Sequence, residues 1–157
     1  MVFQTSEFQI IQYANHVSLV KQTRTNFPEK EGSASRPLKL VHTDICGPTR
    51  NRSPQGEEYF ILFIDDFLRM CWIGLMKYKD EAFKKFKSFK ALVENEPDRR
   101  IKCLRSDQGG EFTSDDFFDF CEEHGIRREF STARNPQQNG VVERTNRTAS
   151  KNGLCYA

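Results

Sequence analysis

Three carboxylates stand where side chains from separate elements could converge: Asp44, Asp107 and Glu143. Asp44 closes the strand-like run "LKLVHTDI" (38–45), ahead of Gly47-Pro48. Asp107 closes "RIKCLRSD" (100–107), just before Gly109-Gly110, whose lack of side chains leaves an open path for a metal or a substrate backbone. Glu143 falls in the first turn of a helix expected from about Val141 onward. Hard divalent cations such as magnesium take oxygen ligands of this kind. Two such ions ~4 Å apart can clamp the attacking and leaving oxygens of a phosphoryl transfer. Each acid also has a plainer reading. An acid at a strand end commonly serves a turn or a cap, and a glutamate in a first helical turn complements the helix dipole.

The elements that must position these acids alternate strand and helix signals. "LKLVHTDI" alternates apolar and polar residues as a half-buried strand does. "YFILFIDDF" (59–67) is a short continuous apolar run, the mark of a strand buried on both faces. "MCWIGLMKY" (70–78) follows after a brief turn, so the three could form an antiparallel meander. In "DEAFKKFKSFKALVEN", Ala82, Phe86, Phe89 and Val93 line one face of a helix that ends before Pro97. "RIKCLRSD" gives a fourth strand. Thr113 with Asp116 three residues on reads as a capping box for a helix through "DDFFDFCEEH", which Gly125 stops. "IRREF" (126–130) is a short fifth strand, and the loop "STARNPQQNG" leads to the last helix. Residues 1–36 are polar and weakly patterned and end in "EGSASRP", which marks a linker; the compact domain is expected over 37–157.

Composition narrows the partners. Fourteen phenylalanines supply enough apolar mass for one folded domain in 157 residues. Net charge is only +2, but from Gly125 onward six basic residues (Arg127, Arg128, Arg134, Arg144, Arg147, Lys151) face two acids (Glu129, Glu143). A basic end suits a polyanion such as nucleic acid, and equally a solvated charged face. Five cysteines without a C-x-x-C pair read as free thiols in a reducing compartment, not as a zinc site or disulfide framework. No run is long and apolar enough to span a membrane, and no signal peptide is evident.

Spacing and flanking residues then point to a family. Thirty-five residues separate Asp107 from Glu143, with Asp44 upstream. "LVHTDICGP", "YFILFIDDFLRMCWIGLMKYKDEAF", "LRSDQGGEF" and "NPQQNGVVERTNRT", in that order, resemble the catalytic core of copia-type retrotransposon integrases, within the retroviral integrase superfamily. The resemblance runs over roughly 37–150. It implies an RNase H-like α/β fold, a five-stranded mixed sheet flanked by helices. It implies that Asp44, Asp107 and Glu143 ligate Mg²⁺ or Mn²⁺ and carry DNA integration: 3′-end processing, then strand transfer. DNA, as element ends and target, would be the partner; a homo-oligomer and a nuclear location are implied in the same way.

Several residues are assigned with that frame. Residues 135–140 would form a loop over the site, with Gln138 and Asn139 offering amides to phosphates or base edges. Arg147 and Lys151, four and eight positions after Glu143, could hold DNA phosphates. Arg147 could instead pair with Glu143 as an i,i+4 ion pair. Asp65 and Asp66 read as turn and capping acids, Glu111 as a loop residue rather than a ligand, and His42 as structural. Phe117, Phe118 and Phe120 read as core. The chain departs from the family upstream, where Ala14 and Val17 stand in place of two zinc-binding cysteines beside "VKQTRTNFP", and the segment after Glu143 is short, as in a truncated core. Two other functions stay open: a metal-dependent nuclease of the same fold that cuts without joining, and a non-catalytic nucleic-acid-binding remnant.

Overall fold

A computed structural model describes residues 2–4, 7–12, 34–49 and 53–131. Its strands are β1 (Val2–Gln4), β2 (Gln9–Gln12), β3 (Val41–Cys46), β4 (Tyr59–Asp65), β5 (Met70–Met76), β6 (Cys103–Ser106) and β7 (Arg127–Phe130). Helix α1 (Ala82–Val93) follows β5, and α2 (Asp115–Glu123) follows β6. The strands form one sheet in the order β1-β2-β5-β4-β3-β6-β7. From β1 to β3 every pairing is antiparallel; β3–β6 and β6–β7 are parallel. The β3-β4-β5 meander is as the sequence predicts. The sheet is mixed, but it has seven strands where five were expected, because residues 2–4 and 9–12 form a hairpin that docks on β5.

Strand β4 shows why a continuous apolar run belongs at the centre. Ile61 and Phe63 face the helices, while Phe60, Leu62 and Ile64 face the other side of the sheet, and all five are buried. Alternate residues thus enter two cores, so neither face can be polar. The helix-side core stacks Phe63 on Phe89 at 4.2 Å between ring centroids, with Trp72 edge-on to Phe89 and Phe86 stacked on Phe117. The stripe on α1 is as predicted: Ala82, Phe86 and Phe89 are buried and Val93 packs against them. Phe8, just before β2, reaches the same core against Phe63 and Phe89. Among the described residues, no helix contributes a buried residue to the second core.

Two local expectations need correction. Thr113 does not cap α2. It ends a 3₁₀ turn, Gly110–Phe112, and Ser114 precedes the helix without a side-chain capping bond. The inserted turn shifts the helix start by one residue, and Asp115 and Asp116 in the first turn still complement the dipole. Phe118 is not core: it is 39% exposed, whereas Phe117 is fully buried and Phe120 packs partly buried on the core. Gly125, at φ +65°, ends α2 as expected. Cys71, Cys103 and Cys121 are buried free thiols and Cys46 is a half-buried one; burial pushes the Cys71 thiol up to about 12.

Candidate active site

Parallel pairing directs two of the three acids to the same ends of neighbouring strands. Val41 lies opposite Leu104 and His42 opposite Arg105. Carried two residues further, that register sets Asp44 level with Asp107. Neighbouring strands run about 5 Å apart, and level residues of a parallel pair share a face. Val41 and Leu104 share the helix-side core, so Asp44 and Asp107, three positions on, share the opposite face. Asp44 is half-buried near the end of β3, and Asp107 is exposed just past β6. Both acids thus stand at the carboxyl ends of adjacent parallel strands, a place where α/β sheets commonly bind ligands.

The two carboxylates suit a hard cation. Asp107 Oδ1 accepts a 3.0 Å hydrogen bond from the Gly109 N–H, which fixes the side chain against its own turn. A carboxylate offers roughly four lone-pair positions, so one N–H leaves capacity for a cation. Among the described residues Asp107 pairs with no cationic side chain. The Cys46 thiol lies 3.9 Å from Asp44 Oδ2. No group of three potential ligands gathers among the described residues; Asp44 and Asp107 are the described part of the predicted set. Glu143, Gln138, Asn139, Arg147 and Lys151 lie outside the described residues, as do the 135–140 loop and the upstream Ala14 and Val17.

Of the two acids expected to serve the turn after β4, Asp65 does, while the Asp66 carboxylate instead holds Ala34 and His42. Asp65 is fully buried and accepts from three backbone N–H groups, those of Phe67 and Leu68 in the turn after β4 and that of Leu38 ahead of β3. Asp66 accepts from the Ala34 N–H at 2.9 Å and lies 3.2 Å from His42 Nε2. The His42 hydrogen bond, helped by Ala34 and Arg69, outweighs burial and lowers the Asp66 carboxyl to about 2. These acids tie the β4 turn to the segment entering β3, at the end of β3 remote from Asp44. His42 is 3% exposed and structural.

Part of the basic C-terminal end is committed to the fold. Arg127 pairs with Glu129 at 2.7 Å, and Glu129 also takes Arg105 at 2.7 Å. The Arg128 guanidinium lies 4.5 Å from the Phe117 ring centroid and 5.3 Å from those of Phe118 and Phe130. It donates to the Phe112 carbonyl at 2.8 Å and to Ser106 Oγ at 3.3 Å, so it brackets the loop that begins at Asp107. Counting charges along the chain could not separate these arginines from free ones. The aromatic residues Phe117, Phe118 and Phe130 around them were the available signal.

The chain resembles known proteins in sequence and in fold. A family model for the integrase core domain matches residues 34–136. The chain is 47% identical over 128 residues to the retrovirus-related Pol polyprotein from transposon TNT 1-94 of Nicotiana tabacum, covering 82% of this chain and 10% of that polyprotein. It is 31% identical over 134 residues to the polyprotein from transposon RE1 of Arabidopsis thaliana, covering 85% and 9%. The chain thus spans about a tenth of the length of these relatives. Among solved structures, the simian T-cell lymphotropic virus intasome in complex with PP2A regulatory subunit B56 gamma superposes with a TM-score of 0.62 at 20% identity, over 83% of this chain and 45% of that one. The HTLV-2 integrase catalytic core domain in complex with magnesium superposes with 0.55 at 19% identity, over 73% and 68%. The fold is RNase H-like, and no described helix is long and apolar enough to cross a membrane. The chain belongs to the integrase core domain family, in its copia-type retrotransposon branch.

Proposed function

We propose that this domain carries the DNA cutting and joining steps of retrotransposon integration, with Asp44, Asp107 and Glu143 as the metal ligands. The observation that supports it most is the β3–β6 register, which sets Asp44 level with Asp107 at adjacent strand ends. Asp44, Asp107 and Glu143 would hold Mg²⁺ or Mn²⁺, which would supply Lewis-acid stabilisation of the attacking and leaving oxygens. The chain's own residues hold and aim: Asp107 is fixed by the Gly109 N–H, and Asp44 by its place in the β3–β4 ladder. Glu143 completes the set from the helix expected after Val141. Water attack then trims a DNA 3′ end, and the freed 3′-hydroxyl attacks a target strand, with no covalent enzyme intermediate. Gln138, Asn139, Arg147 and Lys151 contact DNA, where a basic side chain neutralises phosphate. The HTLV-2 core occurs in trimeric and dimeric forms, which supports a homo-oligomer here; DNA integration as the reaction would imply a nuclear location.

The test is cleavage and joining of a short labelled duplex with Mg²⁺ or Mn²⁺, with Asp107→Asn run beside it. Joined product that needs metal and is lost in the variant supports the reading. Cut but unjoined product assigns a plain nuclease. Salt-sensitive DNA binding without product, unchanged in Asp107→Asn, assigns a non-catalytic DNA-binding remnant.

A further inference from the structure

The turn after Asp107 is held from outside. Glu111, in the 3₁₀ turn Gly110–Phe112, places Oε1 3.3 Å from Lys79 Nζ. Lys79 belongs to the turn that opens α1 and lies over the Tyr59 ring at 5.9 Å. The other Glu111 oxygen comes back over Gly109: a Cβ built there would sit 2.6 Å from Glu111 Oε2 and 3.0 Å from Asp107 Oδ1. Two carboxylates therefore flank one glycine. Without a counter-charge Glu111 would repel Asp107, and Lys79 supplies that counter-charge from a different element. Arg128 and buried Phe112 fix the inner side of the same loop, so the Lys79–Glu111 pair is its outer fastening.

We propose that Glu111, clasped by Lys79, is a positioning residue for Asp107: the pair fixes the loop so that the Asp107 carboxylate is presented beside Asp44. The inference rests on the reading that Asp44 and Asp107 hold a divalent cation. Glu111 acts through the loop and is not itself a ligand. A side chain at Gly109 would meet the Glu111 carboxylate, which would have to shift to make room.

The experiment titrates Mn²⁺ into the whole chain and counts free Mn²⁺ by electron paramagnetic resonance, with melting temperature recorded for every variant. Glu111→Gln and Lys79→Gln are each expected to weaken Mn²⁺ binding about two- to fivefold, the range an exposed ion pair can transmit. Their combination is expected to be no weaker than the worse single variant. Gly109→Ala, at an ordinary φ of −59°, is expected to weaken binding no more than Glu111→Gln. Unchanged binding in both single variants, with Asp107→Asn abolishing it, overturns the clasp and leaves the metal site standing. Loss in Glu111→Gln with wild-type binding in Lys79→Gln overturns it in favour of direct ligation. Wild-type binding by Asp107→Asn overturns the metal reading, and the clasp with it.

Discussion

Replacing Asp107 by asparagine is expected to make the metal-free protein more stable. Adjacent strands run about 5 Å apart, and even at the dielectric of bulk water two charges at that separation repel by roughly 1 kcal/mol. Asp107→Asn removes that repulsion. It leaves the hydrogen bond from the Gly109 N–H intact, because the asparagine carbonyl accepts it where Oδ1 does. The side chain is exposed, so no core packing is lost. In a chelator the variant is expected to melt about 2–4 °C above wild type, the usual return of 1 kcal/mol in a domain of this size. Magnesium then reverses the order. At ten times its dissociation constant it stabilises the wild type by about 1.4 kcal/mol, or about 3–6 °C, and leaves the variant unmoved. Thermal unfolding followed by circular dichroism, in EDTA and in a Mg²⁺ series, measures both halves. If the variant melts at or below wild type in EDTA, and Mg²⁺ shifts both alike, the two carboxylates do not share a site.

The core and the β4 turn give two further expectations. Phe89→Ala removes a ring stacked on Phe63 and edge-on to Trp72 and Phe8, and is expected to cost about 3–5 kcal/mol in urea unfolding; a loss below 1 would mean the aromatic stack is not central. Asp66, lowered from 3.8 to about 2, contributes on the order of 2 kcal/mol that is fully present above pH ~4 and is lost as pH falls through ~2. Wild-type stability between pH 4 and 2 is therefore expected to fall more steeply than that of Asp66→Asn. Parallel curves would show that the His42 hydrogen bond does not hold the carboxylate ionised.

What could be read from the sequence was whatever a single element declares by its own pattern. Strand β4 declared itself because burial on both faces forces an unbroken apolar run, and α1 because one buried face forces an i, i+4, i+7 stripe. The β1–β2 hairpin was missed because strands of three and four residues are held by pairing, β1 on β2 and β2 on β5, rather than by a pattern of their own. The alternation of Phe8 and Ile10 into the helix-side core was its one signal. The start of α2 was misread by a residue because Thr113 serves two candidate turns, and only the 3₁₀ turn before the helix decides between them. Asp44 and Asp107 were legible as strand-end acids, but the spacing along the chain could not show that β3 and β6 are neighbours. The Lys79–Glu111 pair was not legible at all, since it joins two side chains on separate turns far apart along the chain.

The neighbouring of β3 and β6 also decides how the site depends on the fold. Only two residue pairs link these strands, Val41 with Leu104 and His42 with Arg105, and both lie before the acids. Beyond them the strands approach the site without further ladder pairing, against the repulsion of two carboxylates. Their separation must therefore be set by what is buried behind them. Val41 and Leu104 are both fully buried in the helix-side core, and Arg105 is anchored to Glu129 on β7. The chain between β3 and β6 includes β4, β5 and α1, so this pairing is non-local and requires those elements to be in place. The pair of acids is thus assembled by the completed core rather than by a local motif. Loosening that core at Val41 or Leu104 would separate the carboxylates before it unfolds the domain.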